Sequence, residues 1–184
     1  SGQAEYADDL SMPGMLHGKL LRSPHPHARI LRIDTSRAKA LPGVRAVITG
    51  ADFPGVRYGN LPQTRDYLPL ALDVVRYIGE EVAAVAAVDE DTAEEALDLI
   101  EVEYEPLPAV FDPDEAMRPD APLVHDKVAN NVSAKTAFEF GKVDDAFSSA
   151  DYVREDVYET QPVKHGMLEP HACIGLWDAT GKVS

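Results

Sequence analysis

Residues 81–104 constrain the fold more strongly than any other stretch of the sequence. The first part, EVAAVAAV, is short and almost uniformly apolar, which is typical of a buried strand. Asp91-Thr92-Ala93-Glu94 then follows a capping-box pattern, which predicts a helix capped by Asp91 with Glu94 reaching back. Apolar residues recur at helical spacing and share one face, namely Ala93, Ala96, Leu97 and Ile100. With a returning strand over 101–104, the stretch predicts a strand–helix–strand packing unit.

The region before this unit carries the signals of three further strands, over residues 15–22, 27–34 and 44–49. A turn at Ser23-Pro24-His25-Pro26 separates the first two strands. A short helix capped by Thr35 or Ser36 is predicted through residue 40, where Pro42-Gly43 ends it. Residues 50–70 are rich in Gly and Pro and predict a long loop.

The region after the unit is less regular. Residues 109–131 contain Pro113, Pro119 and Pro122 among many charges, and they predict a connecting arm with little regular structure. Beyond the arm, strands are predicted over 132–140, 152–159 and 171–178, with a helix over 141–150 and a turn over 178–181.

Composition excludes several classes of function. The net charge of −15, from 17 basic and 32 acidic residues, repels phosphate backbones and argues against a nucleic-acid partner. No apolar run approaches the roughly 18 residues of a membrane span. The opening SGQAEYADDL has neither an initiator Met nor a leader pattern, so we expect an excised piece of a longer protein.

The only cysteine is Cys173. One thiol cannot hold an iron–sulfur cluster, which needs about four ligands, or form an internal disulfide. This usage predicts a reducing, cytoplasmic location. Cys173 lies in an apolar run, where we expect a buried and inert thiol.

His25 and His27 form a His-x-His pair that could begin a zinc site. The nearest further ligands in the sequence are His17 and Asp34, and Pro26 places the pair in a turn. Because the context that would confirm a metal is missing, we favour a structural turn whose imidazoles hydrogen-bond to nearby backbone.

His165, Glu169 and His171 could form a second metal site or an acid–base pair. Their spacing matches no zinc signature and Pro170 breaks any helix that would align them, so structural hydrogen bonding is favoured. The acidic run Asp89-Glu90-Asp91 is interpreted as a solvated loop that caps a helix. Glycine-rich phosphate loops and the G-x-S-x-G elbow are absent from the sequence, so the residues alone predict an α/β-type domain without an evident active site.

Three stretches of text carry a family resemblance: AEYADDLSMPGMLHGKLLRSPHPHARILRID, ALPGVRAVITGADFP and DVVRYIGEEVAAVAAVDEDTAEEALDLIEVEYEPLPAVFDP. They resemble the α/β hammerhead domain that opens the molybdenum-binding large subunit of the xanthine dehydrogenase and aldehyde oxidase family. The later text GKVDDAFSSADYVREDVYETQPVKHGMLEPHACIGLWDATGKVS is similar to the linker and first strands of that family's molybdopterin-binding region. One departure is Glu81, where the family pattern has Pro after Gly79-Glu80.

The resemblance implies an α+β fold with a hammerhead domain over 1–110, an arm over 111–131, and the incomplete start of a molybdopterin-binding domain over 132–184. It implies a scaffold part of a cytoplasmic, multi-subunit molybdenum oxidoreductase that hydroxylates an aldehyde, an N-heterocycle or an aryl thioester with oxygen from water. Electrons would leave through iron–sulfur clusters, and often FAD, on other domains or subunits.

The resemblance maps no catalytic, cofactor-binding or metal-binding residue onto 1–184, and Glu169 is not expected to be the family's catalytic base. The expected partners are the remainder of the molybdenum subunit and the iron–sulfur and flavin subunits, with no nucleic acid and no membrane. Two alternatives stay open: a stand-alone hammerhead-fold interaction module without catalysis, and a metal-binding protein that uses His17, His25 and His27.

Overall fold

The computed structural model describes residues 3, 4, 6, 9–59, 65–167 and 171–183. The chain divides into two compact units. The larger unit spans Gly14–Lys135, and the smaller unit combines Ser1–Pro13 with Thr136–Ser184.

Six strands of the larger unit form two antiparallel sheets. In chain order they are β1 (His17–Arg22), β2 (Ala28–Asp34), β3 (Val44–Thr49), β4 (Val74–Val75), β5 (Glu81–Ala87) and β6 (Glu101–Pro106). Sheet A has the order β1-β5-β3 and sheet B the order β4-β2-β6. The strands predicted before residue 105 are confirmed. The sequence did not predict β4, because a strand of two residues is too short to show an alternating pattern.

Among the described residues, the larger unit contains the short helices α1 (Ser36–Ala40), α2 (Glu90–Asp98) and α3 (Pro113–Ala116), and the smaller unit contains α4 (Val143–Ser149). The predicted α1, α2 and α4 are confirmed. In the arm, Pro113 begins α3 instead of interrupting structure, because proline suits the first helical position and Asp112 accepts from the amide of Glu115 at 2.9 Å.

The helix α2 begins earlier than the sequence pattern predicted, and the predicted cap at Asp91 is wrong. Asp89 is the N-cap, and its carboxylate accepts from the backbone amide of Thr92 at 2.7 Å. Because β5 ends at Ala87, Asp89 keeps an extended backbone (φ −148°, ψ 170°), which an N-cap requires. Asp91 already lies in the first helical turn.

The strand–helix–strand unit forms, but its strands join different sheets. β5 is the central strand of sheet A, whereas β6 pairs with β2 along sheet B. The helix between them therefore carries the chain from one sheet to the other. This allows α1 and α2 to pack on one face of sheet A.

Two apolar clusters form the core. The first joins sheet A to α1 and α2 through Ala38, Val47, Ala83, Val85, Ala87, Ala93, Ala96 and Ile100. The second lies against sheet B and contains Ala28, Ala71, Val75 and Val82. The predicted apolar face of α2 is thus confirmed, with Ala93 and Ala96 fully buried and Leu97 partly buried.

The prediction of strands over 132–140, 152–159 and 171–178 is wrong. All three ranges lie in the smaller unit, except that the first begins in the larger one. Within the described residues, none of them pairs into a ladder, and the sole bridge there joins Trp177 to Val183. An alternating pattern needs a partner strand and a surface to bury against. Val157 and Tyr158, however, are 85% and 86% exposed.

The predicted turn over 178–181 is confirmed. The carboxylate of Asp178 accepts from the backbone amides of Thr180 and Lys182 at 2.8 and 3.0 Å. Gly181 takes the left-handed backbone that this turn needs (φ +84°).

Candidate functional site

Two neighbouring clefts lie within the larger unit where the arm meets the segment between β4 and β5. The larger cleft, about 330 Å³, is mostly apolar, and Ile78 and Phe111 on its lining are 64% and 80% exposed. The smaller cleft, about 170 Å³, shares Arg76, Tyr77 and Val124 with the first. The charged or titratable side chains that line the smaller cleft but not the larger one are Asp66, Glu80, Glu81 and His125.

Arg76 links the two sides of these clefts. Its Nε donates to the carbonyl oxygen of Val124 at 3.1 Å, and its Nη1 donates to the carbonyl oxygen of Val74 at 3.1 Å. One guanidinium therefore ties the arm to β4 across 48 residues of sequence. Its hydrogen bonds go to backbone carbonyls, so this arginine organises the chain.

Asn131 holds the arm from the other side. Its Nδ2 donates to the carbonyl oxygens of Ala116 and Pro122, both at 2.9 Å, and its Oδ1 accepts from the amide of Val124 at 2.8 Å. Asn131 has a left-handed backbone (φ +55°), a conformation that asparagine tolerates better than most residues. Val124 is thus fixed at both its amide and its carbonyl.

Burial raises the pKa of two groups of the smaller cleft, the Glu80 carboxyl and the Tyr77 hydroxyl. Removal from water raises the pKa of the Glu80 carboxyl, although the backbone amide of Arg76 donates to it. Burial, reinforced by the nearby Glu81 and Glu80 carboxylates, raises the pKa of Tyr77 to about 12. The Tyr77 hydroxyl lies 3.4 Å from Oε2 of Glu81 and stays a protonated donor at neutral pH.

His125 is the remaining titratable group of the smaller cleft. Burial and the nearby Arg76 guanidinium lower the pKa of its imidazole, against the opposing effect of Asp66. Its Nε2 lies 3.9 Å from Oδ2 of Asp66. That separation is too long for a hydrogen bond. We find no nucleophile–base pair among the described residues of the clefts.

The departure at Glu81 has a clear structural consequence. Nη1 of Arg22 donates to Oε1 of Glu81 at 2.6 Å and to the carbonyl oxygen of Gly79 at 2.8 Å. Arg22 and Glu81 are paired across β1 and β5, next to a bulge in the ladder. Arg22, paired with this carboxylate, therefore links β1 to the turn before β5. The strand enters sheet A at the predicted position although the proline is missing.

The two histidines of the His-x-His pair contact different parts of the chain. Nδ1 of His27 lies 2.7 Å from the carbonyl oxygen of Pro108, which is the backbone hydrogen bond that the structural interpretation predicts. The His25 ring instead meets Tyr104 edge-on, with ring centroids 4.9 Å apart. The Asp34 carboxylate accepts hydrogen bonds from Ser36 and pairs with Arg32. The hydrogen bonds from Ser36 lower the pKa of the Asp34 carboxyl, and Arg32 adds to the effect.

Across the described ranges, no group of three or more His, Cys, Asp or Glu side chains could hold a metal ion. His165 and His171 are exposed, while Glu169 lies outside the described residues. The prediction that Cys173 is buried is wrong, because its thiol is exposed. The described segment around it forms no sheet against which the side chain could pack. Asp89 does cap a helix, and Glu90 pairs with Lys19.

The clefts are thus organised by residues that sequence reasoning missed, above all Arg76 and Asn131. Arg76 lies within a stretch that carries the family resemblance and Asn131 lies outside those stretches, but the partners of both are backbone groups, so no residue pattern reveals their roles. No helix in the described part of the chain is long and apolar enough to cross a bilayer.

Comparison with known proteins identifies two sequence families in succession. The family described as "Aldehyde oxidase and xanthine dehydrogenase, a/b hammerhead domain" matches residues 1–108. The family described as "Molybdopterin cofactor-binding domain" matches residues 124–184.

Among similar curated proteins is a probable xanthine dehydrogenase subunit of Bacillus subtilis, which is 40% identical over 98% of the chain and 24% of its own length. Another is the "Nicotinate dehydrogenase large molybdopterin subunit" of Eubacterium barkeri, 39% identical over 100% of the chain and 42% of its own length. The chain thus spans from about a quarter to less than half of these relatives.

Similar solved structures include a quinoline 2-oxidoreductase from Pseudomonas putida, with a TM-score of 0.67 and 38% identity over 82% of this chain and 20% of that one. The aldehyde oxidoreductase from Desulfovibrio gigas gives a TM-score of 0.69 and 30% identity over 82% of this chain and 18% of that one.

Proposed function

Because the chain belongs to the aldehyde oxidase and xanthine dehydrogenase family, we propose that it is the N-terminal scaffold part of the molybdenum-binding subunit of an oxidoreductase. One observation carries this proposal. The hammerhead and molybdopterin-binding families match in succession, over 1–108 and 124–184. We place the boundaries at a hammerhead domain over 1–110, an arm over 111–131 and the start of a molybdopterin-binding domain from 132.

The proposed reaction is oxidative hydroxylation of an aldehyde, an N-heterocycle or an aryl thioester, with water as the oxygen source. Relatives named nicotinate dehydrogenase, quinoline 2-oxidoreductase and aldehyde oxidoreductase support the first two substrate classes. In this account, the molybdopterin cofactor of the complete enzyme supplies the redox chemistry.

We propose that the described residues do not themselves hold that cofactor. In the smaller unit, nearly every described side chain from 136 to 183 is exposed, Ile174 being the partly buried exception. In the larger unit, the polar groups of the clefts bind the protein's own backbone. We therefore assign no pterin ligand, metal ligand or catalytic residue to these ranges, and propose that they position the parts that carry the cofactor.

The proposed partners are the rest of the molybdenum subunit and subunits or domains that carry iron–sulfur clusters and FAD. The single thiol of this chain cannot supply the roughly four cluster ligands. Both curated relatives are named as one subunit of a dehydrogenase, which fits an assembly of several chains. We propose a cytoplasmic location on the same cysteine usage.

Activity of the complete protein tests this proposal. The complete reading frame that contains these residues should be co-expressed with its neighbouring genes and assayed with aldehydes, N-heterocycles and aryl thioesters under an artificial electron acceptor. We expect substrate-dependent reduction of the acceptor with incorporation of oxygen from labelled water. A reading frame that ends with the hammerhead unit and reduces no acceptor would instead support the stand-alone interaction module.

A further inference from the structure

One face of sheet A carries a patch of six residues without a charged or hydrogen-bonding side chain. The register places Leu20, Ala84 and Ile48 side by side on β1, β5 and β3, and it places Gly18, Ala86 and Ala46 in the adjacent row. Opposed residues of an antiparallel ladder share a face, as do residues two apart along a strand. These six residues therefore form one surface, here called the outer apolar face.

The opposite face of sheet A is already covered. Ala83, Val85 and Ala87 pack there against α1 and α2. Lys19, on the same side, reaches Glu90 and Glu94 of α2. On the outer apolar face, Leu20 is 43% exposed and Gly18 and Ala46 are also exposed, whereas Ile48, Ala84 and Ala86 are partly buried. The face is closed at one end, where Val82, two residues before Ala84, is buried in the second cluster. An antiparallel sheet that keeps one face in water normally carries polar residues there, so this composition fits a face that another surface covers.

Gly18 supports close approach of that surface. Its backbone is not left-handed, and a Cβ at this position would meet only the carbonyl oxygen of Val85, at 4.0 Å. Neither conformation nor internal packing thus requires glycine here. Glycine within a strand often marks a site where another backbone comes close. The Gly18–Ala86–Ala46 row forms a shallow groove beside the ridge formed by Leu20 and Ile48.

The size of the face decides what kind of partner fits. Three strands about 4.8 Å apart, over about five residues of about 3.3 Å each, cover roughly 200 Å². A stable interface between separate proteins buries about 800 Å² on each partner. A second copy would also bring a charge of −15 toward another −15. A covalently linked partner needs far less area, because its effective concentration is high.

We propose that the outer apolar face docks an apolar sheet or helix surface from the remainder of the same molybdenum-binding polypeptide. This inference rests on the proposed function, since it requires a longer chain like those of the relatives. It names the surface through which the hammerhead unit is fixed to the rest of the subunit.

Thiol accessibility tests the docking. Ala84→Cys in a Cys173→Ser background places a probe at the centre of the face, and Glu95→Cys on the exposed side of α2 is the matched control. Maleimide labelling is compared in the 184-residue chain and in the complete purified enzyme. Because Ala84 is partly buried and Glu95 exposed, the measured quantity is the ratio of the Ala84→Cys labelling rate to the Glu95→Cys labelling rate, which we expect to be about tenfold or more lower in the complete enzyme than in the 184-residue chain. If Ala84→Cys fails to fold, Leu20→Cys reports on the same face.

An equal ratio in the complete enzyme and in the 184-residue chain would overturn the proposal. Protection that grows with the concentration of the 184-residue chain would identify a second copy, and protection that requires added subunits would identify a separate partner; either result also overturns it. Molybdenum content is measured on the same samples. A protected face in a molybdenum-free protein would defeat the proposed function alone, whereas a reactive face in a molybdenum-loaded enzyme would defeat the docking alone.

Discussion

At the scale of single residues, the sequence predicted the kind of interaction but not always the residue that makes it. The acidic run before α2 predicted a capped helix, but Asp89 and not Asp91 accepts from Thr92. The choice depends on where β5 ends, because only an extended residue can cap. His27 shows the converse, since a local turn was predicted correctly while its partner, Pro108, lies far along the chain.

Asp89→Ala should destabilise the larger unit more than Asp91→Ala. The hydrogen bonds from the Thr92 hydroxyl and amide hold the pKa of the Asp89 carboxyl below its ordinary value. A depressed pKa contributes stability that is present above the ordinary value and is lost as pH falls through the folded value. Urea titrations at neutral and acidic pH should therefore show a difference between Asp89→Ala and the parent chain that shrinks with acidification. Equal midpoints for the two variants at neutral pH would refute the assigned cap.

Asn131→Ala should lower the free energy of unfolding by about 1–3 kcal/mol, because backbone groups of the arm lose their partners. Asn130→Ala is the matched control, since Asn130 is also left-handed (φ +51°) but exposed, with no side-chain hydrogen bond among the described residues. The backbone strain is similar in both variants, so their difference reports the hydrogen bonds. Hydrogen exchange at the Val124 amide should accelerate only in Asn131→Ala. Equal losses in both variants would show that strain alone matters.

At the scale of elements, periodicity predicted which residues face inward but not which elements they meet. The spacing of Ala93 and Ala96 correctly predicted the buried face of α2, whereas Ile100 is buried in the same cluster but follows the end of the helix. The partition of β5 and β6 into separate sheets could not be read from it, because pairing depends on contacts between distant strands. The unformed strands of the smaller unit have the same explanation, since alternation does not specify a partner.

Ala96→Leu should cost about 1–3 kcal/mol, because the added atoms have no space against β5. Ala96 is fully buried in the cluster that joins α2 to sheet A. Glu95→Leu adds an apolar side chain to the neighbouring exposed position and should leave stability nearly unchanged. Chemical denaturation of both variants provides the measurement. A neutral Ala96→Leu would mean that this helix face is loosely packed.

At the scale of the whole molecule, the text of the sequence identified the family and its α+β architecture, and the comparisons confirm both. The clefts could not be predicted, because they form where Arg76 meets Val124, 48 residues away. Their groups bind the chain itself. The described residues therefore account for the stability of the larger unit, and the redox chemistry remains part of the proposed function.

Molybdenum and pterin content of the complete reading frame, purified beside the 184-residue chain, tests this account most directly. Elemental analysis and pterin fluorescence after cofactor release should give stoichiometric molybdenum and pterin in the complete protein. The 184-residue chain should contain neither. Stoichiometric molybdenum in the 184-residue chain, or its absence from a complete, folded protein expressed in a molybdopterin-producing host, would contradict the scaffold account.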